Sequence, residues 1–199
     1  MPLDLFVALV MFAFAMACTP GPNNIMLTAS GVNFGFARTI PHMSGVTLGF
    51  LVLVAACAAG LGLVFATLPV LHTALKVSGA AYMLWLAWKV ANAGAAGEGG
   101  TNEAGEPLTF LQAAAFQWVN PKGVVAALSG VALFMRPGHA LTDFAIMAAM
   151  FALATLVSVV IWTGFGVALR RLLQNPRHAR IFNAAMALLL VASIVPMVT

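Results

Sequence analysis

The chain has 199 residues, of which 62% are hydrophobic and only 7% charged. A soluble domain carries about 25% charged residues, so this composition belongs in lipid and excludes an ordinary water-soluble enzyme or binding module. The net charge of +4 comes from nine Lys and Arg scattered at the ends of apolar runs, a topology signal for the membrane with no nucleic-acid footprint.

Leu3 to Phe36 is almost purely apolar and longer than the about 20 residues a spanning helix needs, yet Cys18-Thr19-Pro20-Gly21-Pro22-Asn23-Asn24 sits in its middle. Each proline removes a donor and costs about 3 kcal/mol inside a regular helix. Away from water such a break survives only where it is buried in protein or lines a cavity. The first span is therefore expected to be one long helix, broken or sharply kinked at Thr19 to Asn24. Ala15-Met16-Ala17-Cys18 faintly resembles a lipoprotein cleavage box, but no basic region precedes it and the signal-peptide reading is set aside.

A second span is expected from about Thr39 to Ala66, with His42 inside it and the small-residue pairs Gly45/Gly49 and Ala56/Gly60, which let helix backbones approach closely. Pro69 marks a turn. The third span runs from Val70 to Ala91, with Lys76 near its start, Tyr82, Trp85 and Trp88 towards an interface, and Lys89 closing it. Residues 92–107 are glycine-rich, acidic and free of bulky apolar side chains, the composition of a flexible aqueous linker. They divide the chain into a first half, residues 1–91, and a second half, residues 108–199.

The fourth span, Leu108 to Met135, is interrupted like the first, at Gln117-Trp118-Val119-Asn120-Pro121-Lys122-Gly123. After the turn at Arg136-Pro137-Gly138-His139 come a fifth span, Leu141 to Leu169, and a sixth, Ile181 to Val198. Arg38, Lys89, Arg170, Arg171, Arg177 and Arg180 fall on one face of this arrangement, against Arg136 and Lys76 on the other. The positive-inside rule then makes the first face cytoplasmic and puts both termini outside.

Ser30-Gly31-Val32 matches Ser129-Gly130-Val131 at an offset of 129 − 30 = 99, which also lays Pro22 on Pro121 and Cys18 on Gln117. A repeated unit with an odd number of spans enters the membrane in the opposite sense. The expected fold is thus an all-α integral membrane protein of six transmembrane helices, built as two inverted three-helix repeats with the first helix of each repeat broken.

Paired interrupted helices at corresponding positions point to a transporter's mid-membrane site. Asn120-Pro121 reads as a helix start, an N-cap acceptor followed by proline, and Thr19-Pro20 or Gly21-Pro22 can be read in the same way. Both restarts would present unpaired N–H groups and the positive dipole end to an anion such as a small carboxylate. Lys122 has no acidic residue at comparable depth. It either meets a carboxylate that arrives as substrate or bonds the carbonyls freed at the opposite break around Cys18 to Gly21.

Asn23, Asn24 and Gln117 add neutral amides suited to a zwitterion, or cap the second half-helix. His42 carries a coupling proton or faces the headgroups. Asp143 reads as a first-turn dipole partner. Cys18 and Cys57 read as small buried hydrophobes.

Pro20-Gly21-Pro22-Asn23 after an N-terminal apolar run, Gly45 and Gly49 in the next span, and Asn120-Pro121-Lys122 opening the second half together resemble the LysE/RhtB translocators, exporters of amino acids and their derivatives. The likeness covers nearly the whole chain. It implies a six-helix bacterial inner-membrane secondary transporter, driven by the proton gradient. It also implies that Pro20, Gly21, Pro22, Asn23, Asn120, Pro121 and Lys122 are signature positions.

The expected partners are a zwitterionic amino acid and membrane lipid, with no nucleic acid, no cofactor and no metal. Pairing of two copies through small-residue faces stays open. The competing readings are a transmembrane thiol/disulfide carrier using Cys18, and a passive small-solute channel. An enzyme is disfavoured because the spans hold no cluster of carboxylates or histidines.

Overall fold

The computed structural model describes residues 1–61, 69–93, 106–173 and 175–195, and they are all-helical, with no strand among them. The elements are α1 (Leu3–Cys18), α2 (Pro22–Phe34), α3 (Phe36–Ala56) with a π turn at Cys57–Leu61, α4 (Pro69–Ala91), α5 (Phe110–Phe116), α6 (Pro121–Phe134), α7 (Ala140–Arg170) and α8 (Pro176–Ala192).

Both expected interruptions are present. The first run divides into α1 and α2, bent by 52°. The second divides into α5 and α6 across the residues from Gln117 to Asn120. Gly21 is the N-cap of α2 and Asn120 that of α6, and each is followed by proline at the first helical position. The two restarts therefore fall at equivalent positions of the 99-residue offset.

Two helices, Phe36–Gly60 and Ala140–Arg170, are long and apolar enough to cross a membrane, and α1 with α2 makes a third if the bent pair is one span. Among the described residues of the expected second span, regular helix ends at Ala56 and a π turn with Gly60 at φ 106° follows. Residues 62–66 of that expectation lie outside the described residues, as do 94–105 of the linker and 196–198 of the sixth span. The last helix starts at Pro176, five residues before Ile181, because Asn175 caps it by accepting a bond from the Arg177 N–H at 2.9 Å and proline takes its first position.

Glycines bring backbones together where the packing is closest. A Cβ on Gly31 would lie 2.4 Å from the Thr163 carbonyl oxygen, and one on Gly166 would lie 2.2 Å from that of Thr28, so α2 and α7 touch backbone to backbone. Gly45 and Gly49 do the same for α3 against Phe110 and Ala114 of α5. In lipid, where helix association gains little from hydrophobicity, such small-residue contacts carry the packing.

Two apolar clusters lie along the bundle. One gathers Met26, Leu27, Met43, Leu86, Phe116 and Leu190. The other gathers Leu9, Phe50, Leu53, Phe134, Met147 and Phe151, with the Phe50 and Phe151 rings edge to face at 5.3 Å. The second cluster ends beside Met1 and Met135, near the turn where Arg136 donates through Nε and Nη2 to the buried Asp143 carboxylate, both at 2.8 Å. Asp143 is thus more than a dipole partner of its own helix: it ties the end of α6 to the start of α7. At the opposite end, Phe34, Lys89 and Leu108 share one cavity, and the Arg170 guanidinium lies against Gly35.

Candidate functional site

The two breaks meet. Gly21, Pro22, Asn23 and Asn24 from the first, and Gln117, Asn120, Lys122 and Gly123 from the second, line one cavity with a space of about 540 Å³ that includes its open mouth. The scale is that of a small-molecule site. Pro20 and Pro121 shape the backbone behind it without lining it.

Each break satisfies its carbonyls with side chains. Proline at 20 and 22 leaves the end of α1 short of N–H partners, and Asn24 Nδ2 donates to the Ala17 carbonyl at 3.0 Å and to that of Thr19 at 2.8 Å. Ser158 Oγ donates to the Ala17 carbonyl at 2.7 Å and Trp162 Nε1 to that of Cys18 at 3.2 Å, both from α7. Asn24 therefore serves the end of α1 and caps nothing on α2.

Across the break, Asn23 and Gln117 form a reciprocal amide pair. Asn23 Nδ2 donates to Gln117 Oε1 at 2.8 Å, and Gln117 Nε2 donates back to Asn23 Oδ1 at 3.1 Å and to the Ala113 carbonyl at 2.9 Å. Gln117 is fully buried.

Lys122 resolves one of the alternatives left open by the sequence. Its Nζ donates to the Thr19 carbonyl at 2.5 Å, to Thr19 Oγ1 at 2.8 Å and to the Pro20 carbonyl at 3.3 Å. Its stem crosses Gly21, where a Cβ would come within 2.8 Å of the Lys122 Cδ. The ammonium thus bonds the opposite break, while its side chain remains part of the cavity wall.

Neither restart is capped by a side chain. The contrast with Thr109, which forms a full capping box with Gln112, and with Asn175 shows that this chain caps helices elsewhere. The N-cap acceptor role expected for Asn120 is not used: Asn120 Oδ1 is buried and has no hydrogen-bond partner. The cavity accordingly offers first-turn N–H groups, one ammonium and one unmet acceptor.

Lys122 is the sole charged side chain among the described lining residues, which include no carboxylate. Phe50, Phe151, Val46 and Ala13 make the apolar part of the wall. Thr155 and Ser158 of α7 complete the polar part, and no motif pointed to them. Their signal was spacing: Thr155, Ser158 and Trp162 recur at i, i+3 and i+7 on one face of an otherwise apolar helix.

His42 lies elsewhere. It is 1% exposed, neither ring nitrogen has a partner, and it lines a second cavity with Ser30, Asn33, Lys89 and Glu106. It does not face headgroups. Cys18 and Cys57 are both free thiols, on α1 and at the end of α3, and no metal-binding cluster is found among the described residues.

The model of the LysE type translocator family matches residues 12–194. The chain belongs to this family. It is 33% identical over 182 residues to a cysteine/O-acetylserine efflux protein of Salmonella choleraesuis (strain SC-B67), covering 90% of each chain. It is 32% identical over 185 residues to one of Escherichia coli (strain K12), again over 90% of each. No solved structure matches it. Family membership and the apolar helices make this translocator a multi-pass membrane transport protein, with a small molecule as its cargo.

Proposed function

We propose that the protein exports small amino acids with uncharged side chains, and their derivatives, across the bacterial inner membrane, and that the cavity between the two breaks holds the cargo. The observation that carries the reading is the pairing of Lys122 and two uncapped helix starts with an unmet acceptor, Asn120 Oδ1, in one cavity. A zwitterion supplies what the helix starts and Asn120 lack, and its carboxylate competes with the Thr19 and Pro20 oxygens for Lys122. Its carboxylate takes the N–H groups and the Lys122 ammonium, and its ammonium donates to Asn120 Oδ1.

The absence of any carboxylate from the described lining disfavours a cationic side chain beside Lys122. The names of the relatives, cysteine and O-acetylserine efflux proteins, agree with a small neutral cargo. The two three-span halves, related as inverted repeats, would alternate access around this fixed site. Binding of the carboxylate draws Lys122 from Thr19 and removes one of the ties between the two breaks, leaving the Asn23–Gln117 pair. His42, the buried imidazole one turn of α3 from Val46 of the cavity wall, is the candidate for the coupling proton.

Uptake into everted vesicles from cells overproducing the protein tests this. Radiolabelled O-acetyl-L-serine should accumulate, arginine should not, and dissipating the proton gradient should stop the accumulation. Uptake indifferent to the gradient would make the protein a passive channel. Loss of periplasmic thiol reduction in Cys18→Ser, with O-acetylserine uptake absent from the start, would make it a thiol carrier.

A further inference from the structure

The second cavity is built, and the export reading uses only His42 of it. It measures about 440 Å³ with its open mouth and is walled by Met26, Leu86 and Leu108, with Ser30, Asn33 and His42 as its polar interior. His42 is buried with both nitrogens unpaired, although a buried imidazole ordinarily finds at least one partner. Lys89 and Glu106 stand among its lining residues, so one pocket holds charges of both signs. The Lys89 ammonium lies 5.1 Å from the centroid of the Trp85 ring, which holds it at the wall.

The two cavities are in series. Asn24 of α2 lines the first and Met26 the second, two residues on; Val46 of α3 lines the first and His42 the second, four residues away. At 1.5 Å of rise per residue the separation along α3 is about 6 Å, one helical turn. Met43, between the two positions on α3, is buried in the apolar core.

From these observations, and resting on the exporter reading, we infer that the His42 cavity is a second binding station for the same small zwitterion, one turn from the central site towards the end of the bundle that carries Lys89 and Glu106. There Lys89 takes the carboxylate and Glu106 the ammonium. His42 hydrogen-bonds the neutral side chain, such as the ester carbonyl of an O-acyl amino acid. The export path then holds two molecules, about one helical turn apart.

Saturation binding of radiolabelled O-acetyl-L-serine to the purified full chain in lipid nanodiscs tests the station. The wild type should bind two molecules per chain, and Lys122→Met and His42→Leu one each. Should His42→Leu fail to fold, Lys89→Met, at the cavity wall, should still weaken the second binding event about tenfold and spare the first. One molecule per wild-type chain, abolished by Lys122→Met and indifferent to His42→Leu and Lys89→Met, overturns the second station and leaves the exporter reading standing. No saturable binding to the wild type overturns both.

Discussion

Asn23 and Gln117 hold the two breaks in register through a pair of reciprocal amide bonds, 94 residues apart in sequence. Breaking such a pair costs about 1–3 kcal/mol when one partner stays buried and unpaired. Asn23→Leu is therefore expected to lower the apparent Tm, because Gln117 Oε1 is left without a donor in a fully buried site. The double variant Asn23→Leu/Gln117→Leu should lose less than the sum of the two singles, and a thermal double-mutant cycle in detergent checks it; strict additivity would mean the pair is not coupled.

The residues of this region were legible from the sequence because prolines in an apolar run must be explained. Their partners were not: Ser158 and Trp162, which serve the carbonyls of Ala17 and Cys18, sit 141 and 144 residues away on an uninterrupted helix. Long-range satisfaction of a carbonyl leaves no local pattern. For the same reason the sequence left Lys122 between two roles, and only the meeting of the breaks shows its ammonium on Thr19.

Among the elements, α2 and α7 form the tightest contact, and it depends on the absence of side chains at Gly31 and Gly166. Gly166→Ala places a carbon 2.2 Å from the Thr28 carbonyl oxygen, a backbone atom that cannot step aside. Accumulation of this variant in the membrane should collapse, whereas Gly164→Ala, two residues away with nothing within 4 Å of the added carbon, should accumulate normally. Immunoblots of membrane fractions compare them, and equal amounts would contradict the close packing.

The Gly45/Gly49 pair announced its contact in advance through its four-residue spacing. Gly31 and Gly166 were not read as a pair, because they lie in different segments 135 residues apart and meet only in the fold. Helix ends were read less well than helices. α8 begins early because Asn175 and Pro176 form a start signal that was passed over, and the regular helix of α3 gives way after Ala56 to a π turn with Gly60 in a left-handed conformation that composition does not reveal.

At the scale of the molecule, α1 with α2 runs from the Arg136 end to the Lys89 end, and α5 with α6 runs back. Opposite senses for the two broken segments are what an inverted repeat requires, and the equivalent N-caps Gly21 and Asn120 agree with it. The basic residues Arg38, Lys89 and Arg170 gather near one end. A reporter fused after Ala93 should therefore be cytoplasmic and one at Gly138 periplasmic. The reverse pattern would overturn the orientation.

The whole account turns on Lys122 as the charge that receives a carboxylate between the two breaks. Counterflow of radiolabelled O-acetyl-L-serine in proteoliposomes addresses it directly, with wild type and Lys122→Met reconstituted in equal amounts. Methionine keeps the length of the stem and removes the ammonium. The expected result is a fall of at least about tenfold, corresponding to about 1.4 kcal/mol, with the variant still inserted and monodisperse. Counterflow at the wild-type rate would contradict the account.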